Sequence, residues 1–243
     1  MTKKKKTTII AGTMKKGLLA LTLGLTLFST SASAQDSFKV NGTVGEGVRD
    51  VKYYIYYSNS ASDLGTLTDS VDVADHHFVY STSLYRPKFI QFRAVFDDGS
   101  LCSGWCTFVA VPHETCDFSV GKGSFTTKGS KFYQGYDRAE QFYEEAANKY
   151  SILGRKVQED LKQKNSSNMI DADSNLLREY YDESQRLLYH MASFAQDNED
   201  DAGVQCYFAK LMGYDYACQN ASSRVKRKFL DALFNKDAQN DTK

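Results

Sequence analysis

The hydrophobic period of this chain changes once, at Gly129-Ser130, and that change fixes the class of fold open to it. Upstream, apolar residues alternate with polar ones in short runs broken by turn residues, the period of half-buried strands. Phe38, Val40 and Val44 begin the first run. Val51, Tyr53, Ile55 and Tyr57 alternate with Lys52, Tyr54 and Tyr56 in the second. Val71 and Val73 lead through Asp75-His76 into Phe78 and Tyr80. Phe89 to Phe96 is closed by Asp97-Asp98-Gly99-Ser100, a hairpin signal, and Trp105 to Val111 returns. Pro112-His113-Glu114 then turns the chain into Cys116 to Val120. About seven short strands over residues 35–129 predict an antiparallel β-sandwich or a partly closed barrel.

Downstream the period is helical. Phe132, Tyr136, Ala139, Tyr143, Ala146, Tyr150, Leu153 and Val157 follow a 4-3 spacing, an apolar seam of the coiled-coil kind. Asn165 to Asp173 breaks it. Leu177, Tyr181, Ser184, Leu188, Met191 and Ala195 then repeat the spacing, which predicts an antiparallel helical hairpin. At 1.5 Å per residue the first helix is roughly 45–50 Å long, so it projects from a sandwich or crosses the whole sheet. Two shorter helices are expected at Asp201–Met212 and Ser222–Phe234, with Gly213 as the stop between them. The predicted class is therefore α+β: a sandwich at 35–129, a helical region at 130–236 and a frayed polar tail at 237–243.

Residues 1–34 read as an export signal. Lys3 to Lys6 with Lys15 and Lys16 form a basic region, Gly17 to Phe28 is apolar, and Ala32-Ser33-Ala34 precedes Gln35 as a cleavage site. The apolar run is too short to span a bilayer, and no Cys follows it to carry a lipid. The expected product is an exported, soluble protein that does not span a membrane, in the periplasm or outside the cell. Six of the 30 basic residues lie in the leader, leaving 24 against 30 acidic ones. That balance argues against nucleic acid as a partner, since phosphate contact needs clustered Lys and Arg.

All five cysteines follow the leader, in a compartment that permits disulfides. On one regular strand Cys102 and Cys106 stand about 13 Å apart, too far to bond. A turn at Ser103-Gly104 would bring them together. Cys206 and Cys218 pair if the chain reverses at Gly213, and Cys116 is the leftover thiol. His76 and His77 point to opposite faces of a strand and cannot share a metal. The acids Asp197, Glu199, Asp200 and Asp201 lack the glycine and terminal Glu of a calcium loop, and fit a helix start instead. Neither a phosphate loop nor a G-x-S-x-G elbow is present. No catalytic, cofactor or metal site is expected. Tyr54 and Tyr56 share one face of their strand and are the candidate ligand contacts.

Several short motifs carry a family resemblance. Phe38-Lys39-Val40-Asn41-Gly42-Thr43-Val44 has the form F-x-V-x-G-x-V, and Asp69-Ser70-Val71-Asp72-Val73 with Phe78 has the form D-S-V-x-V…F. Val111-Pro112-His113-Glu114-Thr115 stands at an E-P-G turn, Gly129-Ser130 at a closing G-S, and Phe194 to Asn198 at F-x-x-x-N. The chain resembles a domain of unknown function in secreted bacterial proteins that commonly precedes a thioredoxin-like, peroxiredoxin-type module in thiol–disulfide interchange proteins. The W-C-x-x-C of that module is missing: Trp105-Cys106 continues as Thr107-Phe108-Val109 along a strand. Thioredoxin-type catalysis is not implied, and a thioredoxin-like protein acting in trans is the partner that the resemblance suggests. The expected function is that of an exported, non-catalytic binding or scaffold protein of the bacterial envelope. The alternatives are an accessory protein to thioredoxin-like oxidoreductases and a glycan- or peptide-binding module using Tyr54 and Tyr56.

Overall fold

The computed structural model describes residues 37–45, 52–63, 65–95, 106–121 and 124–235. The expected export signal at 1–34, the expected hairpin turn at 97–100, Cys102 and residues 237–243 lie outside them. Eight strands form two four-stranded sheets. The first has the order β4-β1-β7-β8, from β4 (His77–Ser83), β1 (Ser37–Val44), β7 (Thr115–Gly121) and β8 (Ser124–Gly129). The second has the order β3-β2-β5-β6, from β3 (Thr66–Val71), β2 (Lys52–Ser58), β5 (Lys88–Val95) and β6 (Cys106–Ala110).

Two sheets fit the sandwich expectation, but it needs two corrections. First, β1 and β7 run parallel, pairing Val40 with Cys116, Gly42 with Phe118 and Val44 with Val120. The first sheet is therefore mixed and not antiparallel. Alternation places the same residues inward whichever way a strand runs, so direction is not legible from it. Second, β8 is a strand beyond the expected seven. Its inward residues are Phe125 and the fully buried Thr127, too little apolar alternation to announce a strand. The Asp75-His76 turn is made as expected, with both residues at positive φ.

Inward-facing rings fill the space between the sheets. Phe92 lies 5.3 Å from Phe118, 5.6 Å from Phe78 and 5.8 Å from Phe108, centroid to centroid. Gly42 is needed beside them, because the Phe78 ring occupies the place of a Cβ there.

Five helices follow among the described residues. They are α1 (Lys131–Gln163), α2 (Ser174–Asp197), α3 (Ala202–Met212), α4 (Tyr214–Asn220) and α5 (223–233), whose middle, Lys226–Leu230, is π-helical. The first turns of α1 pack on β8 and α3, and α2 packs along α1. One continuous core joins sheet and helix residues, whereas the far end of the hairpin has its own small cluster of Val157, Leu161 and Ala172. The hairpin thus both packs and projects.

The α1 seam lies where its spacing puts it: Phe132, Tyr136, Ala139, Leu153 and Val157 are buried. On α2 Met191 and Ala195 are buried as spaced, but in the preceding turns the phase differs by one residue. Glu183 and Leu187 are buried with Tyr180 beside them, while Tyr181 and Leu188 face solvent. A sequence reading prefers Ser184 to a buried Glu183. Here Lys149 of α1 reaches the Glu183 carboxylate at 2.9 Å and Arg186 reaches it at 3.3 Å, so the acid is tolerated inside.

Candidate functional site

Sequence reasoning singles out cysteines and tyrosines, and the structure does not gather them. Cys102 lies outside the described residues, and Cys106 is buried on β6. Cys206 and Cys218 are both thiols, so the expected pairing is not made. Gly213 does end α3, at φ 88°, but α4 starts at the next residue. Cys206 stays within the core and Cys218 lies at its edge. Burial pushes the thiols of Cys116, Cys206 and Cys218 above the usual range, so none supplies a thiolate at neutral pH. Tyr54 and Tyr56 are half-buried on the outer face of the second sheet, opposite Arg93 and Gln91 in register. Neither ring meets another aromatic ring among the described residues.

A cleft of 690 Å³ opens elsewhere, where the sandwich meets the helices. Its apolar lining is Phe132, Val225 and Phe229, with the two phenylalanine rings stacked at 6.2 Å and 20°. Lys131 at the start of α1 and Arg224 and Lys228 on α5 give it positive charge. Glu114 on the β6–β7 turn, with Asp197 at the end of α2 and Glu199 beyond it, gives it negative charge. Among the described residues Lys131, Lys228, Glu114, Asp197 and Glu199 form no ion pair, so both signs remain available.

The loop between α2 and α3 is held in place from three sides. Gln205, fully buried, donates to the Ala195 and Asn198 carbonyls at 2.7 and 3.0 Å. Asn198 donates to the Phe194 carbonyl at 2.8 Å, which gives the F-x-x-x-N pattern a physical role as the end of α2. Asp201 caps α3, accepting from the Gly203 and Val204 amides, and accepts from Arg138 of α1 at 2.7 Å. That cap places the end of the acidic run at a helix start. Asp200 accepts from Ser222 at 2.7 Å, and this bond, with Arg224 beside it, holds its carboxyl below the usual range. The cleft thus combines an apolar lining, fixed walls and unpaired charges of both signs.

Glu114, Lys131 and Asn198 bring three distant segments of the chain to this cleft. The Ser130 amide donates to the Thr115 carbonyl at 3.3 Å, joining two of them. Sequence reasoning misses the cleft because its walls come from four segments far apart in the chain.

It also misses Lys210. This side chain is nearly enclosed, 4.7 Å from the Tyr207 ring centroid, 5.4 Å from Tyr136 and 3.8 Å from the Glu140 carboxylate. Burial lowers the ammonium pKa, opposed by Glu140, and burial raises that of the Glu140 carboxyl, opposed by Lys210. The cation ties α1 to α3. Among the described residues no group of three or more His, Cys, Asp or Glu could hold a metal, and no helix is long and apolar enough to cross a membrane. No protein-family model matches the sequence, and neither a curated protein nor a solved structure matches it.

Proposed function

We propose that this is an exported, non-catalytic binding or scaffold protein of the bacterial envelope, and that its contact surface is the cleft between the sandwich and the helices. One observation carries this reading: the stacked Phe132–Phe229 lining sits among unpaired charges of both signs, beside a loop fixed by buried hydrogen bonds. Such a surface suits a polypeptide segment, whose side chains carry both signs and whose body is partly apolar. The thioredoxin-like partner suggested by the family resemblance fits this role as a protein that docks. The raised thiols of Cys116, Cys206 and Cys218 favour docking over thiol exchange.

Photo-cross-linking in intact cells tests the proposal. A cross-linker at Gln196, which lines the cleft, should give a discrete protein adduct. The same group at Lys128, exposed on β8, should give none. Equal labelling from the two positions, or none from Gln196, would overturn the proposal. A second reading, glycan or peptide binding on the outer sheet face, would rest on Tyr54 and Tyr56, which are half-buried and meet no other aromatic ring among the described residues. In that case a Tyr54→Ala, Tyr56→Ala chain loses the ligand while the Gln196 adduct is unchanged.

A further inference from the structure

We propose that Tyr150 and Tyr180 form an oxidative coupling site, at which a one-electron oxidant joins α1 to α2 through a dityrosine bond. The two phenol oxygens are 2.5 Å apart, and the rings stack at 4.8 Å between centroids with an interplanar angle of 22°. The ring carbons ortho to the hydroxyls carry much of the spin of a phenoxyl radical. They flank those two oxygens, so the atoms that must bond are already neighbours.

Other tyrosine contacts do not share this arrangement. Tyr136 and Tyr207 meet edge to face at 89° in the enclosed Lys210 site. Tyr57 and Tyr80 share a hydrogen bond at 3.2 Å, and Tyr80 is buried. The Tyr150–Tyr180 pair, by contrast, lies in the projecting half of the hairpin and has a route from solvent. Tyr181 is 54% exposed, and its ring is 5.6 Å from that of Tyr180. An oxidising equivalent that reaches Tyr181 is therefore one ring away from the pair.

The chemistry balances with hydrogen peroxide and a haem peroxidase as the oxidant. Each phenol gives up one electron and its hydroxyl proton, becoming a neutral phenoxyl radical. Both hydroxyl protons pass to the solvent. The two radicals combine to form one carbon–carbon bond between ortho positions. The ring hydrogens at that bond then move to the oxygens and restore two phenols. Two electrons and two protons leave the protein, and together they reduce one peroxide to two waters. The product is a covalent tie across the part of the hairpin whose own core is only Val157, Leu161 and Ala172.

The full chain, dilute and folded, is treated with a haem peroxidase and hydrogen peroxide, then separated by size under denaturing conditions. Dityrosine fluorescence should appear in the monomer band, with a mass lower by two hydrogens and a cross-linked peptide joining Tyr150 to Tyr180. Tyr150→Phe and Tyr180→Phe each remove one hydroxyl from a half-buried ring, and each should lose the monomer signal. Tyr189→Phe, on the exposed side of α2, should keep it. Fluorescence confined to dimers and larger species would overturn the proposal. So would a monomer signal that survives in Tyr150→Phe.

Discussion

Tyr133 and Tyr136 are fully buried neighbours on α1, and their hydroxyls have opposite fates. The Tyr133 hydroxyl donates to the Val109 carbonyl at 2.7 Å and so fastens α1 to β6. The Tyr136 hydroxyl finds no hydrogen-bond partner among the described residues. Removing a made bond leaves a buried carbonyl unpaired, whereas removing an unmade one relieves a desolvation cost. Urea denaturation should therefore show Tyr133→Phe less stable by about 1–3 kcal/mol, and Tyr136→Phe unchanged or more stable by up to about 1 kcal/mol. Equal losses in both would contradict this assignment of bonds. Lys210 is a second residue whose role is electrostatic. Lys210→Met should cost about 1–3 kcal/mol at neutral pH, because Glu140 stays behind without its counter-charge. The Glu140 pKa is raised in the folded state, so its penalty is absent below the unfolded value and grows as pH rises through the folded one. The Lys210→Met deficit should accordingly shrink on acidification toward the ordinary carboxylate range, as read from melting temperature against pH. A deficit independent of pH would mean that lost packing, not charge, is its cause.

Among the elements, the crossing of α1 and α3 is a backbone-to-backbone contact. A Cβ on Gly203 would overlap the Phe132 carbonyl oxygen, so the two helices meet with no side chain between them. Asp201, which caps α3, lies against Gly135 on the same face, where a Cβ would collide with its carboxylate. Gly203→Ala must force the helices apart and should cost about 2–4 kcal/mol. Gly213→Ala meets open space, but its φ of 88° and ψ of 178° favour glycine, so it should cost about 1–3 kcal/mol through backbone strain alone. A Gly203→Ala loss of under about 1 kcal/mol would argue against backbone contact at the crossing. The existence of α1 and α2 was legible because apolar residues at a 4-3 spacing share one face only on a helix, and the α1 seam is filled along its length. The α2 phase was not, because burial of Glu183 depends on Lys149 of another helix, and no pattern within α2 reports it.

At the scale of the whole molecule, the boundary at Gly129-Ser130 separates strands from helices as the sequence implies, yet one core crosses it. Phe38, Val40 and Val44 were legible as inward residues from alternation alone. The parallel pairing of β1 with β7 was not, since it depends on how distant strands meet. The cleft was illegible for the same reason: Glu114, Lys131, Glu199 and Lys228 become neighbours only once sandwich and helices are packed. On the proposed reading, this cleft recognises a polypeptide through its unpaired charges. Lys131 and Lys228 are exposed and form no ion pair among the described residues, so reversing both should move stability by no more than about 1 kcal/mol. The deciding measurement is the Gln196 photo-cross-link in a Lys131→Glu, Lys228→Glu chain whose melting temperature is unchanged. The account predicts that the adduct disappears. An adduct of undiminished yield would contradict it.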